Sequence, residues 1–416
     1  MPFEKTWRGE RGDMASRSGR ILAAALIGSV CATAARAELP VEPTPSVMQL
    51  PAEYPDSYVF INDPNFFGIE SGKIVIADVG AETRQYKGAM TAAQFGFFAE
   101  AKTRPELYVV ETFYSRGERG ERTDVLTIYD KQTLSVTGEI VLPGAKRAQI
   151  LTEIGAFQLS ADERFAYIYN FTPAASVTVV DLVARKVVTD IDIPGCTHAF
   201  ALKAGGFASL CGNGAATSTM LDENGKKVGQ KMSAPFVDID NSPMFTRPAI
   251  IDNVAYFPTY DGRIQPVDFS GSEAVPGESW EIEPAPVAEK KGFFKKLPLV
   301  GKGGNSAKRL PSGWQLMSKD DAGRLYVIMR KTETIDDHDF GGDVVYVIDP
   351  VSHDIVNKLK LRGESQIIEV TKGDYPFLVA INIDSTIDVL KANTGEFVRN
   401  IGDNIVITPF AVSAER

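Results

Sequence analysis

The feature that most constrains this chain is a recurring unit: a short apolar strand, an Asp, a polar turn, then a second strand. Ile74-Val75-Ile76-Ala77-Asp78 precedes Val79-Gly80-Ala81-Glu82, and Leu126-Thr127-Ile128-Tyr129-Asp130 precedes Lys131-Gln132-Thr133-Leu134. Val177-Thr178-Val179-Val180-Asp181 leads to Lys186-Val187-Val188, and Val345-Tyr346-Val347-Ile348-Asp349 to Pro350. Weaker copies end at Asp222 and Asp268, and a seventh ends at Lys391, where Lys replaces the Asp. The markers are spaced 52, 51, 41, 46, 81 and 42 residues apart. A period of about 40–50 residues is that of a four-stranded propeller blade. One such sheet cannot bury both faces alone; radial stacking buries them and leaves only short edges. The expectation is an all-β, seven-bladed β-propeller over residues 55–416, after an N-terminal extension at 38–54. Length alone would also allow two or three ordinary domains. Each Asp is expected to start its turn by accepting from nearby backbone amides, a structural role. Segments such as Leu159 to Ile168 are expected to supply further strands.

The 81-residue spacing holds an excess near 283–311. This stretch has Pro284 and Pro286 at its start and Gly301, Gly303 and Gly304 near its end. Between Lys290 and Arg309 it carries seven Lys/Arg and no acid, with Phe293, Phe294, Leu297 and Leu299 among them. Two readings are open: a surface loop, or a docking element for an acidic partner or a membrane surface.

Residues 1–37 read as a secretory signal. Arg8, Arg11, Arg17 and Arg20 form a basic region, Ile21 to Ala35 an apolar run, and Ala35-Arg36-Ala37 a cleavage site before Glu38. Met14 is an alternative start. The apolar run is shorter than a membrane span needs, so no stable membrane anchor is expected and the mature chain is assigned to the periplasm. That mature chain has 38 Lys/Arg and 51 Asp/Glu, a net charge of −13. Such a balance argues against nucleic acid, whose phosphates need a basic surface, and suits a basic soluble partner. Cys196 and Cys211 are the two cysteines left after Cys31 is removed. In an oxidising compartment they read as one disulfide, in preference to a metal pair beside His198.

Candidate chemistry is sparse. His198, His338 and His353 fall in different repeats, without metal-ligand spacing. No G-x-S-x-G elbow, phosphate loop or dinucleotide fingerprint occurs. Asp336-Asp337-His338-Asp339 reads as a solvated acidic loop, with a weak metal site as the alternative, and no metal is expected. No carboxylates pair for acid–base work. From these residues alone, the reading ends at an exported propeller presenting a binding surface.

Several stretches resemble the heavy (alpha) subunit of the quinoprotein amine dehydrogenases, the methylamine and aromatic amine dehydrogenase family. Arg119-Gly120-Glu121-Arg122-Thr123-Asp124-Val125 is similar to that family's Arg-Gly-Lys-Arg-Ser/Thr-Asp run. Pro194-Gly195-Cys196-Thr197-His198 with Cys211-Gly212-Asn213-Gly214 resembles its disulfide hairpin, and Pro311-Ser312-Gly313-Trp314 its Pro-Gly-Gly-Trp/Tyr. Pro248-Ala249 and Val267 to Gly271 fit slightly nearer the aromatic type. The resemblance covers roughly residues 55–410; Glu121, Ser312 and the basic insertion depart from it. It implies that no catalytic residue lies in this chain. A small, disulfide-rich subunit is expected to carry tryptophan tryptophylquinone, so Trp280 and Trp314 are not the cofactor. The implied assembly is an α2β2 heterotetramer oxidising primary amines to aldehyde and ammonia, with electrons passed to a cupredoxin or cytochrome. The resemblance further implies a channel-closing phenylalanine at Phe95, with Phe97 as the alternative. The rival class is a non-enzymatic periplasmic propeller that binds a protein or ligand.

Overall fold

A computed structural model describes residues 49–66, 71–283, 308–332, 334–401 and 405–414. The expected signal at 1–37, the start of the expected extension and most of the basic insertion lie outside the described residues. Met48–Arg416 is one compact unit.

The described chain is an all-β propeller. Its third sheet shows how a repeat becomes a blade. Phe157–Leu159, Phe165–Asn170, Ser176–Asp181 and Lys186–Asp192 run antiparallel in that order, from the axis outward. Every residue of the two middle strands is buried. These strands therefore read as continuous apolar runs, because both sheet faces are covered. The outermost strands are polar; in the fourth sheet Lys227–Met232 is almost wholly exposed, and its lysines discourage edge pairing.

The Asp turns form as expected. Oδ1 of Asp78 accepts from the amides of Gly80 and Ala81, Asp130 from Gln132 and Thr133, and Asp181 from Val183 and Ala184. Asp222, Asp268 and Asp349 do the same for Asn224, Ser270 and Val351.

Among the described residues, the seven separate sheets expected do not form. Hydrogen bonding gives five sheets of four or five strands and one of eight. The cause is the sixteen-residue strand Ile355–Val370, which continues without a chain reversal. Its first part pairs with Gly342–Ile348 and its last part with Phe377–Asn382, and Ser365 bridges both ladders.

Apolar side chains close the ring between neighbouring sheets. Phe60, Ile74 and Met90 of the first meet Leu107, Val109 and Tyr129 of the second. Tyr108 and Ile128 of the second share a cluster with Tyr167 and Val179 of the third and Phe207 of the fourth. Phe200 and Ala208 of the fourth pack on Phe257 and Val267 of the fifth. Ile264 of the fifth joins Tyr326, Ile328 and Val345 of the sixth. Val379 and Val389 of the sixth return to Val59 and Ile61 of the first. Each such aliphatic side chain contributes about 1.5–3 kcal/mol. The C-terminal strand Ala411–Ser413 completes the first sheet by pairing with Tyr58–Asp63. The buried Asp63 carboxylate accepts from the amides of Ile407 and Thr408.

Strand direction sorts the connections onto two faces. One carries the Asp turns. The other carries the loops that enter each inner strand, that of Phe95 among them, and the turns between second and third strands that hold Phe66, Phe171 and Phe340.

Cys196 and Cys211 are disulfide-bonded across a directly opposed pair in the first hairpin of the fourth sheet. For a sequence separation of 15, removing the bridge should cost roughly 3 kcal/mol. A Cys196→Ser/Cys211→Ser variant should therefore unfold at lower denaturant than the oxidised parent, while the reduced parent should match the variant. Equal midpoints for oxidised parent and variant would contradict a stabilising bridge.

Candidate functional site

A cavity of about 350 Å³ occupies the axis, lined by inner-strand residues including Phe98, Phe157, Ala249, Met317, Glu369 and Val412. Above it, the connections of the Phe95 face converge.

Phe95 sits in the turn between Tyr86–Ala93 and Phe97–Glu100, with φ +58°. A left-handed backbone is rare for a bulky residue and costs on the order of 1–3 kcal/mol, so surrounding structure must hold it. Three groups do so. The Gly96 amide donates to the Ala93 carbonyl at 3.0 Å. Asn62 Nδ2 donates to the Gly96 carbonyl at 2.8 Å. Arg147 Nη1 donates to the Phe95 carbonyl at 2.8 Å. The Phe95 side chain remains half-buried. Phe97, two residues on, is 1% exposed and lies in the inter-sheet core, beneath the Arg147 guanidinium at 5.0 Å. The two candidates are thus separated: Phe95 faces the loop surface, and Phe97 is a core aromatic.

Arg147 is itself almost fully buried. Its Nε donates to Thr112 Oγ1 at 2.8 Å, and its backbone amide to Asp124 Oδ2 at 3.0 Å. Arg122 grips Asp124 through Nε at 2.9 Å and Nη2 at 3.0 Å, and its Nη2 reaches the Arg147 carbonyl at 2.7 Å. Burial lowers the Arg147 guanidinium to about 10, with Asp124 opposing, so it stays charged at neutral pH.

An aromatic row runs from Phe95 toward the axis. Phe95 meets Phe66 edge-on at 6.4 Å, Phe66 meets Phe410 at 5.8 Å, and Phe410 meets Trp314 at 6.3 Å. The Arg247 guanidinium covers the Trp314 ring at 3.5 Å. Arg247 Nη2 donates to the Thr152 carbonyl and lies 3.7 Å from Glu153. Glu153 Oε2 accepts from Thr246 at 2.8 Å and lies 2.7 Å from His198 Nε2. Burial alone would raise the Glu153 carboxyl, but His198, Arg247 and Thr246 together hold it down to about 2. Burial also lowers Arg247 to about 9, against Glu153.

The other sequence candidates are dispersed. His338 lies in the short 3₁₀ helix Ile335–Asp339 and stacks on Tyr260 at 4.0 Å. His353, expected in a different repeat from His338, follows the same strand, Gly342–Ile348, that His338 precedes, and stacks on Trp280 at 4.3 Å. Trp280 and Trp314 thus have different neighbours, His353 for the one and Phe410 with Arg247 for the other. Among the described residues no group of three or more His, Cys, Asp or Glu could hold a metal ion. No described helix is long and apolar enough to cross a membrane. Sequence reading missed Arg147, Glu153, Arg247, Phe66 and Phe410. Arg147 follows an Ala-Lys pair in an unremarkable loop, and no local pattern marks it. Trp314 and the Arg122–Asp124 run were visible only through resemblance.

Fold and site together define a propeller whose Phe95 face is rich in aromatic side chains. The sequence profile of the methylamine dehydrogenase heavy chain family matches residues 56–412, and the chain belongs to that family. Methylamine dehydrogenase heavy chains are similar to it along most of their length. That of Methylorubrum extorquens is 25% identical over 366 residues, covering 84% of this chain and 82% of the relative. That of Paracoccus versutus is 26% identical over 368 residues, covering 86% and 79%. In fold alone, a Bacteroides uniformis structure provisionally named a 6-phosphogluconolactonase superposes with a TM-score of 0.56 at 13% identity, covering 86% of this chain and 98% of that one.

The Glu153 cluster generates a pH test. Its folded pKa, about 2, lies below the ordinary 4.5. It therefore stabilises the fold above that ordinary value, and the contribution is lost as pH falls from about 4.5 toward 2. Its size is on the order of 3 kcal/mol. Glu153→Gln should lower stability at pH 7 and flatten the acid limb of a denaturation series across that window. A variant with the parent's slope there would contradict the cluster.

Proposed function

We propose that this chain is the non-catalytic heavy subunit of a periplasmic amine dehydrogenase complex that oxidises primary amines to aldehyde and ammonia. The observation that carries the reading is Phe95, a strained aromatic presented at the surface of one face. That face also exposes Phe66, Phe113, Phe171 and Phe340, each 41–64% accessible. The opposite face exposes Val183, Val351 and Tyr375 among its polar Asp turns. Exposed aromatics spread over one face suit a protein interface. The occupant we propose is a small subunit bearing tryptophan tryptophylquinone, in an α2β2 heterotetramer. The quinone supplies the electrophile and electron sink for amine oxidation. This chain holds that subunit, and Phe95 narrows the route by which the amine arrives; Phe97 is too buried to serve without rearrangement. A cupredoxin or cytochrome is proposed to take the electrons, and the signal at 1–37 to direct export with cleavage after Ala37. Dividing the eight-stranded sheet at 361–364, where neither ladder pairs the chain, would give seven blades.

The isolated chain should show neither amine oxidation nor a visible chromophore. Assembled with its small subunit, Phe95→Ala should change the preference between small and bulky amines by roughly 10–200-fold, the range of a hydrophobic pocket adjustment. The quinone spectrum should be unaltered. Amine turnover by the isolated chain, or an unchanged preference across an amine series, would overturn the reading.

A further inference from the structure

Phe95 holds a backbone conformation that its own side chain disfavours, and a buried cation caps the same turn. The Arg147 guanidinium forms no salt bridge with a described carboxylate, Asp124 being held by Arg122 instead, yet Arg147 is 2% exposed. A buried charge without a direct ion pair is expensive, and its hydrogen bonds must offset the lost hydration. Two of its hydrogen bonds, to Thr112 and the Phe95 carbonyl, link the second sheet to the turn in front of it. Its position is fixed in turn by Asp124, which takes the Arg147 amide and the Thr112 hydroxyl while Arg122 holds it from the other side. The Arg-Gly-Glu-Arg-Thr-Asp run thus has a physical use: its last Arg and Asp form the bracket that orients Arg147.

We propose that Arg147 is a positioning residue for Phe95, and that Arg122 and Asp124 set its orientation. It touches neither substrate nor cofactor. It fixes the carbonyl of the strained residue, so the Phe95 ring is presented at one angle instead of relaxing with its turn. A planar guanidinium with donors in several fixed directions can tie the Phe95 turn, the Thr112 hydroxyl and the Ala148 carbonyl at once; a lysine ammonium in its place cannot span all three.

The inference rests on the Phe95 reading for its effect on substrates but not for its geometry, so the test has two arms. In the isolated chain, Arg147→Lys should speed deuterium exchange at the Gly96 amide by roughly tenfold, the scale of one lost hydrogen bond to a charged group. Amides of Phe165–Asn170 should keep the parent's protection. In the assembled complex, Arg147→Lys should move the preference between methylamine and 2-phenylethylamine in the same direction as Phe95→Ala, through KM more than kcat. It should add nothing in the Phe95→Ala background. Unchanged exchange at Gly96, or a preference shift fully additive with Phe95→Ala, would overturn the proposal. Faster exchange with no preference change in either variant would uphold the positioning role and refute the channel reading. If Arg147→Lys does not fold, Thr112→Val removes the Nε partner and should give the same two shifts in smaller measure.

Discussion

The structure depends on ring closure. A row of twisted sheets has two open ends, and here the last strand, Ala411–Ser413, completes the first sheet by pairing with Tyr58–Asp63. Asp63 tightens the join by accepting the amides of Ile407 and Thr408 at 2.7 and 3.0 Å. Closure covers Val59, Ile61 and Val75 with Val379, Ile381 and Val389, which would otherwise face water at the two ends. The other inter-sheet cores of the described residues join sheets that follow one another in sequence; this one joins residues more than 300 apart. It makes the compact unit cooperative and fixes the axial geometry on which any site at the rim must rely.

A closed ring leaves function to its faces. Turns opened by Asp have their backbone amides satisfied locally by short side chains, which suits a solvated surface. The other face departs from that economy. It spends a buried Arg147 and the cluster of Glu153, His198, Arg247 and Trp314 on holding loops in fixed positions. Strain and buried charge persist where the surroundings over-determine them, and such places concentrate at functional sites.

The fold was legible because a blade is a local unit. The apolar strand, the Asp and the turn lie within a dozen residues, so Asp78, Asp130, Asp181 and Asp349 announced themselves. The continuous strand Ile355–Val370 was not legible as a merger. Its strand propensity is ordinary, and only the shared Ser365 shows two ladders joining. The disulfide was readable from cysteine count and compartment. The Phe95 site was not readable from the residues. Arg147 stands 52 residues after Phe95, and Thr112 and Asp124 lie on adjacent strands. Phe410 and Phe66 meet only through ring closure. Sites assembled across a closure carry no local sequence period.

The central claim is that the Phe95 face receives the quinone-bearing subunit. Deuterium exchange of the free chain against the assembled complex tests it most directly. The account predicts new protection in the turns at 94–96, 171–175 and 334–341, with the Asp turns at 79–82, 131–134 and 182–185 exchanging as in the free chain. Protection confined to the Asp turns, with the Phe95 turn unchanged, would contradict it.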